Sequence, residues 1–115
     1  MIRKNQDMER EVRERMRDGA GAVEFLHVFR SRELRGRTRL FARLRLEAGS
    51  SIGFHRHEGE EEIFYILSGR GEVSEGGPAS LVEPGDAVLT GDGAGHSIAN
   101  PGPDPLELMA VILLT

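Results

Sequence analysis

Two histidines spaced two residues apart, His55 and His57, restrict the folds open to this 115-residue chain more than any other feature. Successive side chains of a β-strand point to opposite faces, so this spacing places both imidazoles on one face. A polar turn and the pair Glu61-Glu62 follow, and His96 comes from a second predicted strand after a glycine-rich turn. Three imidazoles and one carboxylate suit a divalent transition metal ion better than Ca²⁺ or Mg²⁺. The pattern therefore predicts strands that converge on a metal ion.

These two stretches resemble the cupin superfamily, in the form of a small stand-alone single-domain cupin (cupin 2 type). The first cupin motif is G-x5-H-x-H-x3,4-E-x6-G, and five residues fall on it: Gly49, His55, His57, Glu62 and Gly69. The second is G-x5-P-x-G-x2-H-x3-N, and four residues fall on it: Gly85, Gly93, His96 and Asn100. Gly91 stands where this motif has proline, a change that affects loop stiffness and not the ligands. The spacing to Gly69 in the family pattern selects Glu62 over Glu61.

The resemblance covers roughly residues 38 to 114. It implies an all-β fold, a jelly-roll β-barrel (double-stranded β-helix, RmlC-like) with the metal inside. It also implies one divalent transition metal ion per subunit (Mn, Fe, Ni, Co or Zn), bound by His55, His57, Glu62 and His96. Short predicted strands separated by Gly and Pro turns favour the same fold class without any family knowledge.

Length and composition set further limits. A chain of 115 residues can build one domain with one hydrophobic core, and we expect an N-terminal arm over residues 1–21 before a barrel over residues 22–115. The absence of cysteine excludes disulfides and thiolate ligands. No apolar run is long enough to span a bilayer and no signal peptide is visible, so we expect a cytoplasmic protein that does not bind membranes.

The charge is distributed unevenly along the chain. Residues 1–45 carry 13 basic and 7 acidic groups, whereas residues 46–115 carry 2 basic and 12 acidic groups. The arginines alternate with apolar residues and belong to no nucleic-acid module, so no nucleic acid is expected as a partner. Complementary halves, an apolar C-terminal segment and Phe41 on a charged face predict a homodimer.

Strand parity predicts where other side chains lie. The arginines of residues 38–47 are expected on a solvated or subunit-facing surface, outside the cavity. A regular strand would turn Gly53 inward beside the histidines and leave space near the ion. The acidic groups at 58, 60 and 61 are expected to be solvated turn charges. Inward-facing apolar residues are expected around the metal: Phe64, Ile66 and Ile98.

Three features remain open. Residues 1–18 can form a short docked helix or an extended arm that crosses to a neighbouring subunit. Asn100 can contact the ligand shell or cap the loop that follows it. His27, the one histidine outside the motifs, can be a buried residue satisfied by a carbonyl or an interface. It can also contact a ligand or carry a proton in the pocket, but it is not expected to bind the metal.

Two functions are compatible with a His3Glu site, because these ligands leave positions open on a metal that prefers six. We favour a metal-dependent enzyme of the dioxygenase, decarboxylase, lyase or isomerase type, acting on a small organic acid, keto compound or sugar derivative. The alternative is a non-enzymatic module that binds or senses a small molecule or sugar through the metal. Catalytic residues are not identified, since parity aims no Lys, Tyr or Arg into the cavity.

Overall fold

The chain folds into two antiparallel β-sheets with a shared core, and the computed structural model describes all 115 residues. Three short 3-10 turns occur, at Asn5–Asp7, Met16–Asp18 and Ser31–Glu33. No helix reaches the length and apolarity that a bilayer crossing requires. The ten strands, numbered in chain order, are β1 (Glu9–Glu14), β2 (Ala22–His27), β3 (Thr38–Leu46), β4 (Ser51–Arg56), β5 (Glu60–Ser68), β6 (Gly71–Ser74), β7 (Ser80–Val82), β8 (Ala87–Gly91), β9 (Gly95–Ala99) and β10 (Leu106–Leu114).

The strand order confirms the predicted all-β jelly-roll barrel. Six strands form one sheet in the order β1-β2-β3-β10-β5-β8, and four form the other in the order β4-β9-β6-β7. Strands far apart in sequence are neighbours, since β10 pairs with both β3 and β5 and β4 pairs with β9. This crossing over brings the two predicted motifs together, because β4 and β5 carry the first motif and β9 carries the second.

Alternating burial along the strands builds the core. The alternation predicted over residues 38–47 is present, with Ala42, Leu44 and Leu46 buried and Arg43 and Arg45 between them only partly buried. Arg39, at the start of the same strand, lines the cavity instead. Strand β10 alternates in the same way: Leu108 is buried and Met109 is partly exposed. Thirteen buried apolar residues from both sheets form one continuous core. Burying these side chains is the main favourable contribution to folding.

The N-terminal segment is extended. Strand β1 lies along β2 in antiparallel register, from Glu9 opposite His27 to Glu14 opposite Ala22. The segment is therefore extended and not helical, and it lies on the sheet of its own chain. Its crossing to a neighbouring subunit stays a prediction. After β1 the backbone turns through a Met16–Asp18 3-10 turn that packs on β4.

Strand β4 is irregular where it approaches this turn. Its register with β9 shifts between Ile52 and His55, so that Ile52 is buried in the core while His55 faces the cavity. A Cβ atom on Gly53 would overlap the carbonyl oxygen of Arg17. The prediction that Gly53 leaves space beside a metal is therefore wrong. This glycine instead permits close approach of the N-terminal backbone.

Candidate metal centre

Four side chains from three strands and one adjoining loop converge inside the barrel: His55 from β4, His57 just after it, Glu62 from β5 and His96 from β9. One ligand atom of each lies within 4.8 Å of every other. The Nε2 atoms of His57 and His96 are 3.1 Å apart, and each lies 3.0 Å from Oε1 of Glu62. Nε2 of His55 is 4.0 Å from the same oxygen. The structure thus brings together the four residues predicted as ligands.

The second nitrogen of each ring is held by another group. Nδ1 of His55 donates to the Gly53 carbonyl oxygen at 2.8 Å. Nδ1 of His57 donates to the Glu60 carboxylate at 2.5 Å, and Nδ1 of His96 lies 2.9 Å from the Thr90 hydroxyl. A proton on Nδ1 leaves the lone pair on Nε2, so these contacts favour the tautomer that presents three lone pairs to one point.

The chemistry of this cluster fits a divalent transition metal. The side chains of His57, Glu62 and His96 are almost completely buried. Two imidazole lone pairs and a carboxylate this close together are unfavourable without a cation to share them. Burial lowers the pKa of His55, against the opposing hydrogen bond to the Gly53 carbonyl, and so favours the neutral ring that binds metals. The group could therefore hold such an ion.

Glu60 was predicted to be a solvated turn charge, but in the structure it is largely buried. Its side chain is only 13% exposed and lies between His57 and the Arg39 guanidinium, whose Nε and Nη2 donate to it at 2.8 and 2.9 Å. Hydrogen bonding to Arg39, and secondarily to His57, lowers the pKa of Glu60 to about 2. The sequence signal was available, since a carboxylate three residues after His57 can turn back to its ring. Thr90 lies six residues before His96, across the glycine-rich turn that joins β8 to β9, and it was not among the residues predicted for the site.

The other candidate residues occupy three different places. Phe64 lines the cavity and stacks on the His96 ring, with centroids 4.8 Å apart and planes inclined by 10°. Ile66 and Ile98 lie in the hydrophobic core and not on the cavity wall. Asn100 caps the loop after β9, since its side chain bonds the Leu46 and Asp104 carbonyl oxygens and the Gly102 amide. Of the two interpretations of Asn100, the structure contains the loop cap.

A cavity of ≈ 250 Å³ opens beside the cluster, and His55, His57 and Glu62 form part of its wall. The prediction that no arginine reaches the cavity is wrong, because four arginines line it: Arg13, Arg17, Arg30 and Arg39. Three of them come from the N-terminal segment and the β2–β3 connection, where strand parity makes no prediction. His27 also lines this cavity, and its Nε2 lies 2.7 Å from the Glu11 carboxylate instead of a backbone carbonyl.

Antiparallel sheets that close around three histidines and a glutamate define a β-barrel protein with an internal site suited to a metal. The model of the cupin domain family matches residues 42–112, which is more than half of the chain. The protein therefore belongs to the cupin family.

Proteins of Thermotoga maritima and Methanocaldococcus jannaschii are similar to this chain. The oxalate-binding protein of Thermotoga maritima is 46% identical over 99 residues, covering 86% of this chain and 82% of that protein. The crystal structure of a predicted oxalate decarboxylase from Thermotoga maritima superposes with a TM-score of 0.94 and 41% identity, covering 100% of both chains. An uncharacterised protein of Methanocaldococcus jannaschii is 31% identical over 93 residues, covering 81% of this chain and 72% of that protein.

Proposed function

We propose that this protein holds a divalent transition metal ion through His55, His57, Glu62 and His96, and binds a small dicarboxylate of the oxalate class at that ion. The observation that carries the proposal is the joint lining of one cavity by the histidine–glutamate cluster and by arginines. The names of the relatives, oxalate-binding protein and predicted oxalate decarboxylase, support the same ligand class. When bound, such an ion supplies a Lewis acid for carboxylate oxygens.

The arginines of the cavity are not equivalent. Arg13, Arg30 and Arg39 each form an ion pair with a carboxylate of the chain. Arg17 forms none, so its guanidinium is free to bind an external anion at the cavity mouth. A guanidinium can donate two parallel hydrogen bonds to a carboxylate, which matches the end of a dicarboxylate that faces away from the cluster.

The size of the cavity limits the ligand. Its volume of ≈ 250 Å³ lies below the roughly 300–1,000 Å³ of pockets for drug-sized ligands. Aromatic and aliphatic side chains, including Phe25 and Phe41, cover part of the wall. A low local dielectric strengthens the attraction between the cations of the wall and a small anion. These properties favour a compact dianion over a sugar or a long-chain acid.

Calorimetry can test this proposal directly. We expect oxalate to bind the metal-loaded protein and not the metal-free protein, because without the metal the cluster has no cation to attract the ligand carboxylate. Arg17→Ala should weaken oxalate binding about 10-fold or more, as expected for a lost charge-assisted hydrogen bond. Arg10→Ala is the matched control, because Arg10 is an exposed β1 arginine that does not line this cavity. Equal oxalate affinity with and without metal would refute the proposal.

Turnover of oxalate is a second candidate function, and one observation favours it. A decarboxylation must place a proton on the product carbon, and His27 is a titratable group in the cavity outside the metal cluster. The only carboxylate on the cavity wall, Glu62, belongs to the cluster itself. Formate production from oxalate by the metal-loaded protein would establish turnover, whereas binding without formate would assign a binding function.

A further inference from the structure

His27 is a buried histidine that the metal cluster does not use. It is 3% exposed and lies on β2, with its ring stacked at 20° against Phe25. Its Nε2 atom is 2.7 Å from Oε1 of Glu11. Its Nδ1 atom has no hydrogen-bond partner in the protein. Every fully buried side-chain nitrogen and oxygen of the chain has such a partner, so Nδ1 is not fully buried. Nδ1 is therefore accessible, and the cavity beside the cluster is the space that His27 lines.

Glu11 determines which nitrogen of His27 can titrate. Nε of Arg13 donates to Glu11 at 2.9 Å, and this hydrogen bond, with the one to His27, lowers the pKa of Glu11 to about 2. An ionised carboxylate only accepts hydrogen bonds, so the proton between the two groups resides on Nε2 of His27. Nδ1 is then the position that gains or loses a proton, and it is open to the cavity.

We propose that His27 takes up one proton at Nδ1 when the dicarboxylate enters the cavity, and that the resulting N–H donates a hydrogen bond to a ligand oxygen. This inference rests on the proposed function, since it concerns the ligand of the same cavity. The balance is simple: one solvent proton becomes bound to Nδ1, and no other covalent bond forms or breaks. His27 changes from imidazole to imidazolium while Glu11 stays ionised.

The charges around His27 make this change responsive to a ligand. On β1, Glu9 is its register partner and Glu11 its hydrogen-bond partner, and both favour the imidazolium. Arg13 on β1 and Arg30 after β2 oppose the imidazolium, because they partly neutralise these two carboxylates. Arg13 pairs with Glu11, and Arg30 lies 3.0 Å from Glu9 and 3.8 Å from Glu11. The β3 register partner, Ala42, is uncharged. Two further cations line the shared cavity and also oppose the imidazolium: Arg17 and Arg39.

An arriving dianion shifts this balance in one direction. In the free protein the four arginines named around His27 outnumber the two carboxylates, Glu9 and Glu11. A ligand with two negative charges inside the same cavity favours the protonated ring, as any close opposite charge does. Proton uptake at His27 would then complete the neutralisation of the ligand on the side away from the cluster.

Calorimetric titration of metal-loaded protein with oxalate tests the inference. Repeating it in buffers of different ionisation enthalpy gives the number of protons taken up. Wild-type protein should take up close to one proton per oxalate above about pH 7, because the arriving dianion favours the protonated ring. Its affinity for oxalate should fall by up to tenfold for each pH unit from 7 to 9. The metal content of each sample must be measured, so that loss of metal is not mistaken for weak binding.

Variants separate His27 from other sources of protons. In His27→Gln, uptake and the pH dependence of oxalate affinity should both disappear while the metal stays bound. Glu11→Gln keeps the imidazole but removes the charge that stabilises its protonated form, and should bind oxalate more weakly than wild type at pH 7.5. Glu24→Gln, an exposed carboxylate on the same strand as His27, is the control and should behave as wild type.

The possible failures are distinguishable. Oxalate binding by wild type without proton uptake, or with the same uptake in His27→Gln, would overturn this inference and leave the proposed function standing. No metal-dependent oxalate binding by wild type would overturn both.

Discussion

Replacement of Glu60 by glutamine tests whether the partner of a ligand ring controls the metal. In the wild type, Glu60 accepts a hydrogen bond from Nδ1 of His57 at 2.5 Å and two hydrogen bonds from Arg39. Glutamine keeps an acceptor oxygen and the side-chain length, so the charge is the main variable. Loss of such a partner of a ligand histidine costs 10- to 100-fold in metal affinity, about 1.4–2.7 kcal/mol.

The same substitution should affect stability less than it affects metal binding. Arg39 is 49% exposed, so solvent screens its pairing with Glu60, and the pair contributes at most about 1 kcal/mol to folding. The contact with His57 is buried, and a hydrogen bond to a charged group contributes about 1.5–3 kcal/mol. Part of that remains with glutamine as acceptor. We therefore expect E60Q to fold, with the larger loss in metal affinity.

Acid unfolding gives an independent measure of Glu60. Its pKa is about 2 in the folded protein, below its ordinary value of 4.5. A carboxyl with a depressed folded-state pKa stabilises the fold fully above its unfolded pKa and loses this contribution as pH falls through the folded value. Wild-type protein should lose the contribution between about pH 4.5 and about 2, and E60Q should lack it at every pH.

A chelator-competition titration at fixed pH measures the metal affinity. Glu58→Gln is the matched control, because Glu58 lies two residues earlier, in the turn before β5, is exposed and makes no ion pair. An E60Q affinity within twofold of wild type, or an equal loss in E58Q, would refute the assigned role of Glu60.

Three further predictions concern the cluster and the N-terminal strand. Substitution of His55, His57 or His96 by alanine should sharply lower metal content, and stoichiometric metal in such a variant by elemental analysis would contradict the ligand assignment. Metal affinity should fall at acidic pH, because protons compete with the metal for the imidazoles, and the lowered pKa of His55 moves its part of this competition to more acidic pH. A flat profile in a dialysis assay would argue against histidine ligation. Deletion of residues 1–18 should spare metal binding and weaken a homodimer detected by light scattering. It should also weaken oxalate binding, because it removes Arg13 and Arg17 from the cavity wall. Unchanged oxalate affinity would contradict the role of these arginines.

The histidine ligands and the all-β fold class could be predicted because their signals are local, whereas the jelly-roll topology and the choice of Glu62 over Glu61 followed from the resemblance to the cupin family. The spacing of His55 and His57 depends on strand periodicity, and the alternation over residues 38–47 depends on which face of one strand is buried. Both patterns survive in the structure, since Ala42 and Leu44 are buried and the two histidines face the same cavity.

Predictions that assumed regular geometry failed where the strand is irregular. The register shift in β4 turned Ile52 inward, and Gly53 proved to contact the N-terminal backbone instead of the site. A bulge inserts a residue on one strand only, so parity counted along the sequence no longer gives the face.

The sequence by itself determined which residues can bind a metal and which strands can bury a core, because both depend on residue type and on short-range periodicity. Only the tertiary structure decided which side chains surround the metal-binding residues. Arg17 and Glu11 lie far in sequence from the residues that they face, and the sheet order brings them together. The charge of the cavity and the partner of His27 arise from long-range packing, which no local pattern in the chain encodes.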